Sequence, residues 1–201
     1  MSLPLQNDPR VDTLREVANI GCGHAANALS RLMGGRKVDL SIPRVLLTGG
    51  AMGAASLLDG NAPVVSASLG IQGDELNGDL LLVLPRADAS ALESMLLGGH
   101  DAEPAERDSV MAEVANIAAS ACLSALGRLT GWKLMPTVPE LHRCGAREAL
   151  EALVAHKVDA SDMVVLEARF QAASVAPVGG QLLLLLERRS ADDLLARLLG
   201  E

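Results

Sequence analysis

The chain contains the same helix-like segment twice. Residues 16 to 34 read EVANIGCGHAANALSRLMG and residues 113 to 131 read EVANIAASACLSALGRLTG, an ungapped match 97 positions apart. The first five residues are identical, and an in-phase Leu-x-Arg-Leu-x-Gly pattern follows in both copies. A repeat of this kind indicates a duplicated supersecondary unit, which constrains the fold more than any other feature of the sequence.

The order of the predicted elements after each copy also recurs. Each half continues with an extended segment that holds a proline (38–48; 137–143), a short helical stretch (51–58; 146–155), two strands (63–71 and 80–84; 163–171 and 181–187) and an amphipathic helix (87–97; 191–199). Gly78-Asp79 and Gly179-Gly180 predict the hairpin turns between the paired strands.

We therefore expect an α+β fold that is internally duplicated, with pseudo-twofold symmetry, a mainly antiparallel sheet and two long motif-bearing helices. Residues 1–201 are expected to form a single domain made of two repeats, at about 8–98 and 104–200, which share one sheet. The segment from Gly98 to Pro104 is the boundary between them.

Composition excludes several classes of function. A net charge of −8 disfavours nucleic-acid binding, which requires clustered Lys and Arg, and an aromatic content of 1% leaves few side chains on which bases could stack. Three cysteines, an odd number outside the predicted loops, argue against a disulfide framework. The first residues lack the features of a signal peptide, and the apolar runs at 80–84 and 182–186 are shorter than a membrane span. We expect a cytoplasmic protein with no membrane insertion.

The two copies of the repeated helix have similar start and end signals. Asp8 and Pro9 are suited to begin the first helix, Pro104 or Asp108 the second, and Gly34 and Gly131 follow the helix ends. The apolar stripe of each copy is predicted to be buried: Leu14, Ala18, Ala25, Leu29 and Leu32, and then Met111, Ala115, Cys122, Leu126 and Leu129.

The opposite stripe of each copy is small or polar throughout. Its members are Asp12, Glu16, Asn19, Gly23, Asn27 and Ser30 in one copy, and Ser109, Glu113, Asn116, Ser120, Ser124 and Gly127 in the other. One Glu-x-x-Asn on an exposed helix is ordinary and predicts little alone. Asn inside a helix is less favourable than Ala by several tenths of a kcal/mol, however, and both copies place it three residues after the same Glu. We interpret this stripe as a face that another surface approaches.

At these residues the chain resembles the CheC, CheX and FliY family of chemotaxis phosphatases. The family motif is an Asp or Ser, three residues, Glu, two residues, Asn, and a Pro about twenty-two residues further on. Both copies match it, with Asp12, Glu16, Asn19 and Pro43 in the first and Ser109, Glu113, Asn116 and Pro139 in the second. The spacing from Asn to Pro is slightly long in both. Two motifs in about 200 residues are similar to the CheC arrangement.

The resemblance implies a hydrolase that removes phosphate from the aspartyl-phosphate of a CheY-like response-regulator receiver. Asn19 and Asn116 would orient the attacking water, and Glu16 and Glu113 would dock a receiver lysine. An amide offers a donor and an acceptor on one plane, and positions i and i+3 share a helix face. No cofactor or metal of the chain itself is implied, because the Mg²⁺ would belong to the receiver.

The sequence is also compatible with two further functions. One is a non-catalytic module that binds phosphorylated receiver or the receptor deamidase CheD in chemotaxis or flagellar-switch signalling. The other, a structural part of the flagellar switch, is disfavoured because both Glu/Asn pairs are intact. The four histidines are scattered, so that the pattern predicts no metal site, and His24 is assigned to packing or solvent. Cys122 and Cys144 are interpreted as small core residues.

Overall fold

The computed structural model describes residues 8–48, 58, 62–73, 75–154, 163–173 and 178–200. The elements in these ranges are, in chain order, α1 (Pro9–Leu32), β1 (Val38–Leu40), β2 (Arg44–Thr48), β3 (Pro63–Gln72), β4 (Gly78–Pro85), α2 (Arg86–Leu96), α3 (Pro104–Thr130), β5 (Met135–Pro136), β6 (Glu140–Gly145), α4 (Ala146–Val154), β7 (Met163–Ala172), β8 (Val178–Glu187) and α5 (Arg188–Leu199). Apart from Leu58, the helical stretch predicted at 51–58 lies outside the described residues.

The strands form one sheet that contains both repeats. Its order is β1-β7-β8-β4-β3-β5, with β2 also on β7 and β6 also on β3, and every pairing among the described strands is antiparallel. The central pair joins β4 to β8, where Leu81 lies opposite Leu183. Each repeat places its first two strands on the edge of the other repeat's hairpin. The predicted α+β class with a mainly antiparallel sheet is confirmed.

The sheet is covered on both faces, which explains its continuous apolar runs. Leu80, Leu82 and Leu84 alternate with Leu81 and Val83 along β4, and all five are buried. The first three join the core beneath α1 and α3, whereas Leu81 and Val83 pack with residues of α4 on the opposite face. Strands buried on both faces lose the usual alternation of apolar and polar residues.

The two dipeptides that were predicted to form the hairpin turns, Gly78-Asp79 and Gly179-Gly180, belong to strands instead, so that this prediction is wrong. Gly78 begins β4, while Gly179 and Gly180 belong to β8. A Cβ atom on Gly180 would lie 2.6 Å from Cζ of Phe170, and one on Gly78 would overlap the carbonyl oxygen of Leu185. These glycines permit close approach between strands, which is the other common reason for glycine in a sheet.

The ends of the motif helices follow most of the predicted signals. Asp8 caps α1 and accepts a hydrogen bond of 2.9 Å from the Arg10 amide. In α3, Pro104 is the first helical residue, and Glu103 forms a capping box with Glu106. Asp108 lies one turn inside α3, so the alternative start at this residue is wrong.

Packing of α1 and α3 follows the predicted apolar stripe with two exceptions. Leu32 is only partly buried, and Leu129 is 42% exposed near the end of α3. Among the described helices, α3 alone is long and apolar enough to cross a membrane by length and composition, and half of its most apolar 18-residue stretch is buried within the protein. A core helix meets the same criterion, and α3 packs on both α1 and the sheet.

Candidate active site

Helix α1 presents the first Glu-x-x-Asn pair on its outward face. Glu16 and Asn19 are both exposed, while the intervening Val17 and Ala18 are buried in the core. Among the described residues, neither Glu16 nor Asn19 has a hydrogen-bond or ion-pair partner. The core therefore fixes this turn of the helix and leaves the carboxylate and the amide available for another molecule.

Helix α3 repeats this arrangement with a small difference in exposure. Glu113 is exposed and Asn116 is half-buried, and between them Val114 and Ala115 are buried. Within the described part of the chain these two polar side chains also lack internal partners. The structure thus places both predicted pairs on the outward side of a helix, one pair in each repeat.

The first residue of each motif differs more than the Glu/Asn pair. Asp12 is exposed and pairs with Arg15, whose Nη1 atom lies 2.6 Å from its Oδ1 atom. Ser109 is exposed, and Ala112 stands where the first copy has Arg15. The two faces consequently differ in local charge, although their Glu/Asn pairs match.

A buried ion network supports the start of α3. Glu93, on α2, is 1% exposed, and its Oε1 atom accepts a 2.8 Å hydrogen bond from Arg143 of β6. Arg143 also binds Asp108 at 2.8 Å, and Arg107 lies 3.7 Å from Glu93. Burial alone would lower the pKa of Arg143, but hydrogen bonds to Glu93 and Asp108 raise it above its ordinary value. This arginine links strand β6 to both α2 and α3.

The motif prolines lie in matching bulges at the two edges of the sheet. Between Leu40 and Arg44, three residues of the edge strand oppose two residues of β7, and between Pro136 and Glu140 three oppose two residues of β3. Each bulge therefore holds one extra residue. Pro43 is buried and Pro139 is half-buried. Proline on an edge strand also removes a donor with which another strand could pair.

Both bulges are held by the same hydrogen-bond pattern. The Ser41 amide donates to the Arg169 carbonyl at 2.8 Å, and the Arg169 amide donates to Ser41 Oγ at 3.0 Å. On the other edge the Thr137 amide donates to the Gly70 carbonyl, and the Gly70 amide donates to Thr137 Oγ1, both at 2.8 Å. In each bulge a side-chain hydroxyl accepts the hydrogen bond that a backbone carbonyl would accept in a regular strand pair.

Sequence analysis missed the residue that each bulge exposes. Ile42 is 81% exposed and Val138 is 84% exposed, and each directly precedes its motif proline. The matching triplets Ser-Ile-Pro (41–43) and Thr-Val-Pro (137–139) were the available signal.

The three cysteines and His24 lie in the core or at the surface. Burial raises the pKa of the Cys22 thiol to about 12, and burial together with Cys22 raises that of Cys122 well above its usual value. Cys144 is half-buried, less than a core residue would be. His24 is exposed, with Nδ1 3.5 Å from Arg128. Among the described residues, no three His, Cys, Asp or Glu side chains are grouped to hold a metal ion.

Comparison with known proteins identifies the family. The model of the CheC-like family matches residues 11–56. The CheY-P phosphatase CheC of Bacillus subtilis is 34% identical over 144 residues, which cover 67% of this chain and 66% of that protein. FliY of Thermotoga maritima has the same fold, with a TM-score of 0.75 at 18% identity over 98% of this chain and 99% of that one. FliM of H. pylori, solved as a complex with SpeE, gives a TM-score of 0.68 at 9% identity over 98% and 97%.

The duplicated sheet and its two outward Glu/Asn helices define a protein of the class that CheC, CheX and FliY represent. The chain belongs to the CheC-like family.

Proposed function

We propose that the chain is a phosphatase for the aspartyl-phosphate of a CheY-like response-regulator receiver. The observation that carries this proposal is the outward placement of Glu16 with Asn19 and of Glu113 with Asn116 on two helices whose intervening residues are buried in the core. The name of the B. subtilis relative, CheY-P phosphatase, supports the same activity.

In the proposed reaction a water oxygen attacks phosphorus, and the bond from phosphorus to the aspartyl oxygen breaks. The products are a free carboxylate and dihydrogen phosphate, in which one proton of the water stays on the attacking oxygen and the other moves to a phosphate oxygen. Asn19 or Asn116 holds the water in line, because its amide accepts one hydrogen bond and donates another. Positioning of this kind contributes to the rate without requiring a strong base.

Glu16 and Glu113 are proposed to fix the register of docking. A carboxylate one helical turn from the Asn can pair with a lysine beside the phosphorylated aspartate, and charge-assisted hydrogen bonds are stronger than neutral ones. The Mg²⁺ ion of the receiver would neutralise the phosphate oxygens, so this chain need not provide a metal site.

The test is the decay of receiver phosphate in the presence of the purified chain. Asn19→Ala combined with Asn116→Ala is expected to reduce kcat by about 100-fold or more, because the water loses its orientation. Asn27→Ala is the matched control, since Asn27 is an exposed asparagine on the same face of α1 outside the motif. A double variant that retains the wild-type rate would overturn the proposal. The single variants apportion the rate between the two sites.

A binding module without turnover is the second candidate. The observation that favours this candidate is the likeness of the chain's fold to FliM of H. pylori, a protein that was solved as a complex with SpeE. This alternative predicts tight binding of phosphorylated receiver, or of CheD, with no change in the phosphate lifetime. Accelerated decay by the wild-type chain would exclude it.

A further inference from the structure

The exposed residues Ile42 and Val138 share more than their high exposure. Both are β-branched aliphatic side chains, both precede a motif proline, and both lie in a bulge where a hydroxyl replaces a backbone carbonyl. They are also the two most exposed large hydrophobic residues of the described chain. Bulges frequently redirect a side chain next to a functional site. The recurrence of this device at opposite edges of the sheet requires an explanation that applies to both repeats.

In the first repeat, two contacts place Ile42 along α1. Ser30 of α1 donates a 2.6 Å hydrogen bond to the Arg36 carbonyl, and Val45 lines a small cavity with Leu14. The edge strand therefore runs from the end of α1 back toward its start. Ile42 lies three residues before Val45, which is about 10 Å of extended chain. A distance of about 10 Å corresponds to about seven helical residues, which places Ile42 level with roughly residue 21 of α1. The six residues from Arg36 to Ile42 span about 20 Å, or about 13 helical residues, which gives roughly residue 17 when counted back from Ser30. The first Asn lies between these limits.

The second repeat gives the same result from independent contacts. The Trp132 carbonyl oxygen lies 2.7 Å from the position of a Cβ atom on Gly127, and Arg143 binds Asp108 at 2.8 Å. A strand residue spans about 3.3 Å and a helical residue about 1.5 Å. Counted from the contact at Trp132, Val138 is level with roughly residue 114 of α3. Counted from the contact at Arg143, it is level with roughly residue 119. The second Asn lies between these limits.

We propose that Ile42 and Val138 are apolar anchors for the receiver that docks on the Glu/Asn face of the same repeat. This inference rests on the proposed function and adds a requirement on the partner, an apolar side chain beside its phosphorylated aspartate. A protein interface of ordinary size covers about 800 Å² on each partner, a patch roughly 30 Å across, so a receiver seated on the Glu/Asn pair would also cover the neighbouring bulge. Aliphatic side chains buried at the middle of an interface contribute to affinity, whereas polar side chains at its rim contribute little.

The charges beside the two anchors differ, and this favours an apolar function for the shared residue. Arg44 follows Pro43 and is paired with the buried Glu167, whereas Glu140 follows Pro139 and is exposed. A contact based on charge would therefore differ in sign between the repeats. The aliphatic side chain and the hydroxyl that holds the bulge are what both repeats retain.

The experiment compares Ile42→Ser combined with Val138→Ser against Leu199→Ser, a control at a 43% exposed leucine of α5. The substrate is a CheY-type receiver phosphorylated with acetyl phosphate, and binding is measured with the same receiver activated by beryllofluoride. An anchor acts equally on the ground state and the transition state, so KM and Kd should rise about tenfold while kcat stays within twofold. The control should match the wild type in all three.

Three results would overturn the inference. The first is a change in KM and Kd no larger than that of the control, and the second is a fall in kcat without a change in KM. The third is a wild-type dimer, detected by sedimentation, that the double substitution dissociates, because the anchors would then cover a second copy of this chain. If the wild type binds activated receiver without hydrolysing its phosphate, only the proposed function fails, and Kd still decides the anchor. If it neither binds nor hydrolyses, both proposals fail.

Discussion

The starts of the two motif helices carry the same arginine in different surroundings. Arg10 of α1 and Arg107 of α3 occupy equivalent positions of the repeat. Arg10 pairs with Asp192 at 2.9 Å, and both side chains are about half exposed. Arg107 lies 3.7 Å from Glu93, which is 1% exposed and is also bound by Arg143. One helix start is fixed by a surface pair, and the other by a buried network.

The ends of the same helices differ as well. Ser30 of α1 donates a hydrogen bond to the returning chain, whereas Gly127, its counterpart in α3, lets a backbone carbonyl approach closely. The contacts that hold the two helices therefore differ between the repeats at both helix ends, whereas the Glu/Asn pair and the bulge are the same in both. Residues that served only the scaffold would be expected to follow their changed surroundings. This contrast favours a function for the unchanged groups.

The largest expected effect is on the buried network. Arg143→Met leaves Glu93 buried with only the more distant Arg107, and removal of one partner from a buried pair typically costs about 3 kcal/mol of unfolding free energy. Arg10→Met, the matched change in the exposed pair, should cost less than about 1 kcal/mol. Urea denaturation measures both values. Equal losses would show that the two helix starts are supported alike.

A compensating variant sharpens this prediction. Arg143→Met combined with Glu93→Leu removes the buried charge together with its partner, and such replacements are often neutral or stabilising. The double variant should therefore be more stable than Arg143→Met alone. A further loss of stability would indicate that Arg143 acts through Asp108 or through packing, and not through Glu93.

Local patterns predicted the long helices and the central strands, although not the turn positions or the division of each edge segment into two strands. Helical periodicity identified α1 and α3, and short apolar runs identified the strands β4 and β8. The Glu/Asn face was predictable because the helix repeats every 3.6 residues, so that residues three apart share a side. One Glu-x-x-Asn alone would not have indicated a functional face, and it was its recurrence in the second copy that did so.

Features that depend on distant residues were not predictable. Glu93 resembles a surface glutamate of an amphipathic helix, and its burial depends on Arg143, fifty positions away. The exchange of edge strands between repeats and the two bulges depend on register, which local propensity does not specify. The glycines of β4 and β8 resemble turn residues until the neighbouring strand is in place.

The next effect distinguishes the glycines of the two helices. Gly127→Ala would place a Cβ atom 2.7 Å from the Trp132 carbonyl oxygen, and overpacking against backbone should cost about 2 kcal/mol. Gly23→Ala meets no atom within 4 Å and should stabilise α1 by about 0.5–1 kcal/mol through helix propensity. Thermal midpoints should therefore move in opposite directions. Shifts of the same sign would contradict this account of how the chain leaves α3.

A smaller effect concerns the thiol of α1 and its pH dependence. Because burial raises the pKa of Cys22 to about 12 from an ordinary value of 9.0, the folded protein keeps a proton that the unfolded chain releases. The contribution of this thiol to the free energy of unfolding is therefore fully present below pH 9. It is lost as the pH rises toward 12, at about 1.4 kcal/mol per pH unit. Cys22→Ala should show a shallower decline of unfolding free energy between pH 9 and 10.5. An unchanged slope would mean that this thiol is accessible to solvent.

The smallest effect tests the likeness of the two repeats. Ser41→Ala and Thr137→Val each remove the acceptor of one backbone amide in a bulge, and each should cost about 1 kcal/mol. The two sites lie at opposite edges of the sheet, so the double variant should lose the sum of the two costs to within about 0.5 kcal/mol. Thr13→Ala is the control, because its hydroxyl bonds the Pro9 carbonyl on the surface of α1, and the change should be nearly neutral. If one bulge variant lost several times more stability than the other, the two bulges would differ in construction, and the shared exposure of Ile42 and Val138 would no longer imply a shared cause.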